Sequence, residues 1–294
     1  MFDHRELVTL IAIFDEGSFE AAAKVLHVTT GAVSQRIKSL ENYIGKPVLI
    51  RSNPLQLTGE GENIMQLARK IKLLQDEAMA VIAGNDHSEV QTLPVAVNHD
   101  SLTCWFSEAA SNIATGLDGV LIDIKTTDKV STNQVLKSGN VIAAITALDN
   151  PVPGCKVRRL GALEYFVVCS REVYSNSLAE KVSVRSLSTV PLILFDHDDH
   201  LDEQFFKRLD GSPEGIKKHF IPDSREQLKA VLKGVGWGIV PRQIIEEYQG
   251  DELVYLSREP VYVDLYWKAW DVSSQLVAEV ERQVVNEALR QLHQ

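Results

Sequence analysis

A chain of 294 residues, 45% of them hydrophobic, has room for two or three packed units with real cores, which excludes an intrinsically disordered protein. No run of about 18 apolar residues is present, excluding a spanning helix, and the early acid in MFDHRELVTLIAIF excludes a signal peptide. The formal net charge of −10 is uneven: residues 1–75 hold nine Lys/Arg against eight Asp/Glu, so the acidity belongs to the remainder.

In chain order, Leu7, Leu10, Ile11, Ile13 and Phe14 predict a first helix that ends near Gly17, with Ser18 capping the next. Ala21, Ala22, Val25 and Leu26 give a short second helix a small apolar face, which two helices crossing at close range require. After the step His27-Val28-Thr29, the residues Ala32, Val33, Ile37 and Leu40 mark a third helix that Thr29 can cap. The pattern is that of a helix-turn-helix. Thr30, Ser34, Gln35, Arg36 and Lys38 fall off the apolar face of the third helix. Gln35 can pair bidentately with adenine, Arg36 and Lys38 can reach guanine or phosphate, and Ser34 suits either base edge or backbone. A solvated surface helix carries the same residue types, so the helix alone leaves both readings open. The turn Gly45-Lys46-Pro47, the strand-like Val48–Arg51 and the return Leu55–Leu57 then predict a β-wing, which offers Lys46 and Arg51 to phosphate and favours DNA. A near-neutral head has few phosphate contacts per chain, so binding by two or more copies is expected.

Beyond the wing, ENIMQLARKIKLLQDEAMAVI contains neither Pro nor Gly and predicts a helix from Glu60 to about Ile82, about 35 Å long. Its stripe of Ile64, Leu67, Ala68, Ile71, Leu74, Ala78 and Val81 needs a partner, either its own domain or the same helix of a second copy. Gly84–Ser88 reads as a polar hinge. From Thr92 the texture becomes βαβαβ, with strands at Leu93–Val97, Val120–Ile124 and Val141–Thr146 and helices at Ser101–Thr115 and Val130–Ser138. A mostly parallel sheet is expected, with ligands beyond the carboxyl ends of its strands. Those ends hold Asn98-His99-Asp100-Ser101, Thr126-Thr127-Asp128 and Thr146. A second lobe begins near Phe166, with strands at Phe166–Cys169, Pro191–Phe195, His219–Ile221 and Gly238–Val240. Helices at Asp202–Leu209, Ser224–Lys233 and Pro241–Tyr248 alternate with them, Val261–Trp267 returns to the first lobe, and Ser273–Leu292 closes the chain.

The fold expected is therefore α/β: a winged helix-turn-helix over 1–59, a linker and dimerisation helix with its hinge over 60–89, and a two-lobed, periplasmic-binding-protein-like effector domain. Its first lobe takes 90–165 and 261–294, and its second takes 166–260. A cleft between lobes suits a small molecule. For an amino acid, Ser101 at a helix start can meet the carboxylate and Asp128 or Asp196 the ammonium or a cationic side chain, with Asn98, Asp100 and Thr146 as further candidates at the same strand ends. A plain N-cap at Ser101 and a solvated loop acid at Asp128 remain open at this point. Ser101 has His99 and Asp100 beside it, but adjacent side chains splay apart and make no triad. Cys104, Cys155 and Cys169 are irregularly spaced, giving no zinc site or redox pair and pointing to free thiols in a cytoplasmic protein. An enzyme, a metal and a cofactor are not expected. A transporter's solute-binding protein would share the two lobes but would have no use for a winged helix.

Ala32-Val33-Ser34-Gln35-Arg36-Ile37-Lys38-Ser39-Leu40-Glu41, followed by Gly45, Leu49, Arg51, Leu57-Thr58 and Gly61, resembles the winged-helix signature of LysR-type transcriptional regulators. Gly31 departs from it, since members often have Ser or Pro there. The resemblance implies a homodimer on double-stranded DNA, commonly a tetramer, whose ligand-driven lobe closure changes the grip on DNA and recruits or releases RNA polymerase. Val97-Asn98, Asp100-Ser101-Leu102, Trp105, Asn150–Cys155, Leu163, Tyr165, Phe195-Asp196-His197, Asp199, Glu226, Gly236-Trp237-Gly238 and Tyr266-Trp267 resemble the branch of that family that senses basic amino acids, the ArgP/LysG group. This second resemblance implies lysine or arginine as effector and an amino-acid exporter or related metabolic genes as target. Members of the branch usually place acids on both sides of the position held by Asp128. This chain has Thr127 and Lys129 there, which lowers the negative charge at that lip. A regulator of the same family sensing a different small metabolite is the alternative.

Overall fold

Three helices build the N-terminal head in the computed structural model, which describes residues 2–50, 52–83, 90–127, 131–212 and 215–294. Helix α1 (His4–Glu16) starts where the Asp3 carboxylate accepts the Arg5 N–H at 2.8 Å and stops at Gly17, whose φ of 72° few other residues adopt. Helix α2 (Phe19–Val25) is capped by the Ser18 hydroxyl, which accepts the Ala21 N–H at 3.1 Å. Helix α3 (Thr30–Ile44) is capped by Thr29, which accepts the Ala32 N–H at 3.1 Å. Leu10, Ile13, Val33, Ile37 and Leu40 form the buried seam between them. On α2 the buried pair is Ala22 and Ala23, whereas Val25 is 55% exposed. The expected face is displaced because α2 is only seven residues long and Val25 is its last.

Strands β1 (Leu49–Ile50) and β2 (Gln56–Leu57) pair antiparallel, with Leu49 opposite Leu57, and form the wing. Helix α4 (Gly59–Ala83) follows, 25 residues and about 37 Å long. Gly61 in its first turn lies against the Val48 carbonyl, where a Cβ would come within 2.0 Å of the oxygen. That contact welds the helix to the wing. Asp15 pairs with Arg69 on the head side. On the other side Lys70 donates to the Gly154 carbonyl at 2.8 Å, and Glu77 accepts from the Ser274 hydroxyl and, at 3.1 Å, the Leu276 N–H. Leu67, Leu74 and Val81 remain 36%, 40% and 81% exposed along it. Among the described residues no helix is long and apolar enough to cross a membrane. The polar hinge expected at Gly84–Ser88 lies outside the described residues, as do Arg51, Asp128 and Lys129.

The effector domain opens with β3 (Gln91–Val97) and α5 (His99–Ser101), which continues through a π-helical turn at Leu102–Phe106 into α6 (Ser107–Gly116). Next come β4 (Val120–Thr126), α7 (Ser131–Lys137), β5 (Ala143–Thr146) and β6 (Cys155–Ser170). Helix α8 (Arg171–Val173), a π-helical turn at Tyr174–Leu178 and α9 (Val184–Leu187) lead to β7 (Leu192–Leu194). Then follow α10 (Leu201–Arg208), β8 (Lys218–Phe220), α11 (Ser224–Leu232), β9 (Trp237–Pro241) and α12 (Arg242–Glu246). Strands β10 (Leu253–Tyr255) and β11 (Val261–Trp270) and helix α13 (Gln275–Gln291) complete it.

Strand order is β4-β3-β5-β11-β6-β9-β7-β8. Parallel pairs at each end, β3 with β4 and β5, and β7 with β8 and β9, give two α/β lobes. Between them β6 runs 16 residues without a break. Only its last part, Phe166–Cys169, is legible as a strand, because Lys156, Arg158 and Arg159 interrupt the apolar pattern before it. Those side chains point outward to Asp271, Glu281 and Asp264, at 2.8, 3.2 and 2.7 Å. Tyr165 pairs with Val261 of β11 and with Pro241 of β9, and so sits where the two lobes meet. Trp105, Trp237 and Trp267 are all buried in the main core.

Candidate functional site

Strand β3 ends at Val97, and the chain turns through Asn98 straight into α5. That turn brings Asn98, His99 and Asp100 to the carboxyl edge of the first lobe's sheet, beside Thr126 and Thr127 from the end of β4. The chain after β7 supplies the facing wall: Phe195, Asp196, Asp198 and Asp199. Together with Tyr165 they enclose a cavity of ≈ 290 Å³.

Asp100 is held from two directions. The Tyr165 hydroxyl donates to Oδ2 at 2.7 Å, and the Ser224 hydroxyl, from the second lobe, donates to Oδ1. Burial and the Asp100 charge push the Tyr165 hydroxyl well above the usual tyrosine range, so it stays a donor. Asp196 accepts the Asp198 N–H at 2.8 Å. Asp199 accepts the N–H groups of Phe195 at 3.2 Å and Leu201 at 3.0 Å, bracing the acidic loop. His99 Nε2 lies 3.2 Å from Asp223 Oδ2.

Of the six residues expected at the effector site, Asn98, Asp100 and Asp196 line this cavity. Ser101 is fully buried and stands outside the lining; among the described residues its hydroxyl has no hydrogen-bond partner, and neither has the Asn98 Oδ1. Thr146 is buried too, accepting the Leu148 N–H at 3.2 Å, and its neighbour Ala147 lines the wall instead. Asp128 lies outside the described residues. Tyr165 and Asp199 belong to the pattern that resembles the ArgP/LysG group but carry no assigned role there, and Asp198 and Ser224 went unnoticed. The acid density of Asp196-His197-Asp198-Asp199 was a visible signal for two of them, but nothing local marks Tyr165 or Ser224.

On the head, Gln35 and Lys38 are exposed on α3. Thr30 and Ser34 line a concavity of ≈ 300 Å³ with Ser52 and Leu55, between the α2–α3 face and the wing. Arg36 turns back toward α1, its Nη1 donating to the Thr9 hydroxyl at 3.2 Å. Lys46 is paired with Glu60 at the start of α4, and its hydrogen bond holds that carboxyl below the usual range.

Comparison with known proteins agrees with this division. Residues 4–62 match the bacterial regulatory helix-turn-helix protein, lysR family, and residues 76–285 match the LysR substrate binding domain. The chain is 33% identical over 279 residues to the HTH-type transcriptional regulator LysG of Mycobacterium tuberculosis, covering 95% of this chain and 91% of that one. Full-length LysG from Corynebacterium glutamicum with bound effector Arg superposes with a TM-score of 0.84 at 30% identity, over 99% of this chain and 100% of that one. ArgP from Mycobacterium tuberculosis gives 0.91 at 31% identity, over 100% of this chain and 99% of that one. Head, linker helix and two-lobed domain all fall within these matches. The chain therefore belongs to the LysR family, as a DNA-binding transcriptional regulator with an effector-binding domain rather than as an enzyme.

Proposed function

We propose that this regulator senses a basic amino acid, lysine or arginine, and controls transcription of an amino-acid exporter or related metabolic genes. The observation that carries this reading is the charge of the cavity wall. Four aspartates line it, Asp100, Asp196, Asp198 and Asp199, and among the described residues no lysine or arginine lines it. A basic amino acid brings two positive charges, and carboxylates at both walls can take the α-ammonium and the side chain separately. Its carboxylate needs donors. The start of α5, where Asn98 makes no side-chain cap bond, offers N–H groups and a favourable helix dipole. The effector named for the Corynebacterium glutamicum relative, Arg, fits this chemistry.

The head presents Gln35, Lys38, Ser34 and Thr30 to the operator, with Lys46 near the wing for the DNA backbone and Arg36 turned instead to Thr9. The exposed Leu67, Leu74 and Val81 of α4 belong against the same helix of a second copy, giving a homodimer that can pair into a tetramer. Effector-driven lobe closure then alters the spacing of paired heads, and RNA polymerase is recruited or released. The domain division 1–59, 60–89, 90–165 with 261–294, and 166–260 serves these four tasks. Calorimetric titration of the full chain with the twenty amino acids tests the effector. Heat from lysine or arginine, with silence from neutral and acidic amino acids, is expected; silence from both basic ones overturns the reading.

A further inference from the structure

Two bonds cross between the lobes beside the cavity, and both join consecutive residues to consecutive residues. His99 of the first lobe meets Asp223 of the second at 3.2 Å, and Asp100 accepts from the Ser224 hydroxyl. The His99 ring also packs on Phe195 of the second lobe, with centroids 5.4 Å apart. Neither Asp223 nor Ser224 lines the cavity. Each has a local role as well: Asp223 caps α11 by accepting the Glu226 N–H at 2.9 Å, and Ser224 is that helix's first residue. The start of α11 thus docks on the start of α5.

We propose that Asp223 and Ser224 are positioning residues of the effector site, forming a latch that holds the two lobes together and sets the orientation of Asp100 before any effector arrives. The proposal rests on reading this cavity as the effector site. Ser224 is 1% exposed, so its loss leaves an Asp100 oxygen without its donor in a place water reaches poorly. The His99–Asp223 side chains are 32% and 40% exposed, which makes this the weaker half of the latch.

Arg225, the cation next to Asp223, is neutralised by Glu247 at 2.8 and 3.1 Å. Burial works to raise the Asp223 carboxyl, but the Glu226 N–H and the charge and hydrogen bond of His99 outweigh it, and it ends below its ordinary value. Asp223 therefore remains a carboxylate acceptor to lower pH than a free aspartate, and its bond across the lobes keeps that acceptor.

Hydrogen exchange on the full chain, with no amino acid present, tests this. In Ser224→Ala, amides of 98–101 and 195–199 should exchange about tenfold faster, while those of β3 and β9 keep the parent's rates. Asp223→Asn, which keeps the helix cap, should loosen the same amides about two- to fivefold. The idea is overturned if cleft amides are unchanged in Ser224→Ala, if β3 and β9 loosen equally, or if Asp223→Asn leaves the cleft amides at the parent's rates. Since no effector is added, a failed amino-acid titration would leave this result standing, and the reverse also holds.

Discussion

In the head, five of the residues proposed for DNA lie within one helix, Thr30 to Lys38, and the apolar residues that hold that helix alternate with them. The cavity draws instead on Asn98, Thr126 and Asp196 at three strand ends and on Tyr165 within β6, from two lobes. The head meets a polyanion with a near-neutral surface, so on this reading it depends on a few groups. The cavity concentrates four aspartates in ≈ 290 Å³ and can hold a cation alone. Local recognition is written in a helix face; enclosed recognition is written in topology.

The sharpest way to break this comparison is to destroy one region and watch the other. Leu40 is fully buried in the head's core, and Leu40→Ala should cost about 2–5 kcal/mol there. Operator binding in a gel-shift assay should vanish while effector titration remains that of the parent. An effector site that fails with it would show the two regions to be one cooperative unit. Asp196→Asn removes a charge from the cavity with little change of shape. Its effector affinity should fall by about 1.5–3 kcal/mol in calorimetry, with DNA affinity in the absence of effector unaltered. Gln35→Ala is the matching change in the head. It should cost about 1–3 kcal/mol on the cognate operator and much less on random duplex, which competition anisotropy separates. The smallest effect belongs to Lys38→Ala. If Lys38 meets phosphate, the slope of log affinity against log salt should shallow by about 0.9; an unchanged slope would place it off the backbone.

The same contrast explains what could be read in advance. Ser18 and Thr29 caps, the α3 seam and the wing are local, and each stands where periodicity and capping chemistry put it. Val25 escaped because a seven-residue helix has too few turns for its apolar face to be fixed by pattern. In the effector domain the strand ends at Asn98 and Thr126 were legible because a parallel sheet dictates where ligands sit. Tyr165 was not, since its importance comes from pairing with Val261 and Pro241 together, residues far away in sequence. The first half of β6 was hidden for a related reason. Its arginines and lysine look like a loop until Asp264, Asp271 and Glu281 are found beside them.

Helix α4 is pinned at both ends, by Asp15 to Arg69 and the Val48–Gly61 contact on the head, and by Gly154 to Lys70 and Glu77 to the α13 start on the effector domain. A rod so fixed has an angular phase as well as a length. One residue inserted between Arg69 and Lys70 would rotate the head by about 100° about the rod's axis while lengthening it by only about 1.5 Å. Seven inserted residues, close to two full turns, would return the head to nearly its original bearing about 10 Å further out. Operator half-sites spaced for one phase would then be missed by the first variant and reached, on a longer operator, by the second. In the proposed homodimer the rod would thus carry the reading frame of the pair.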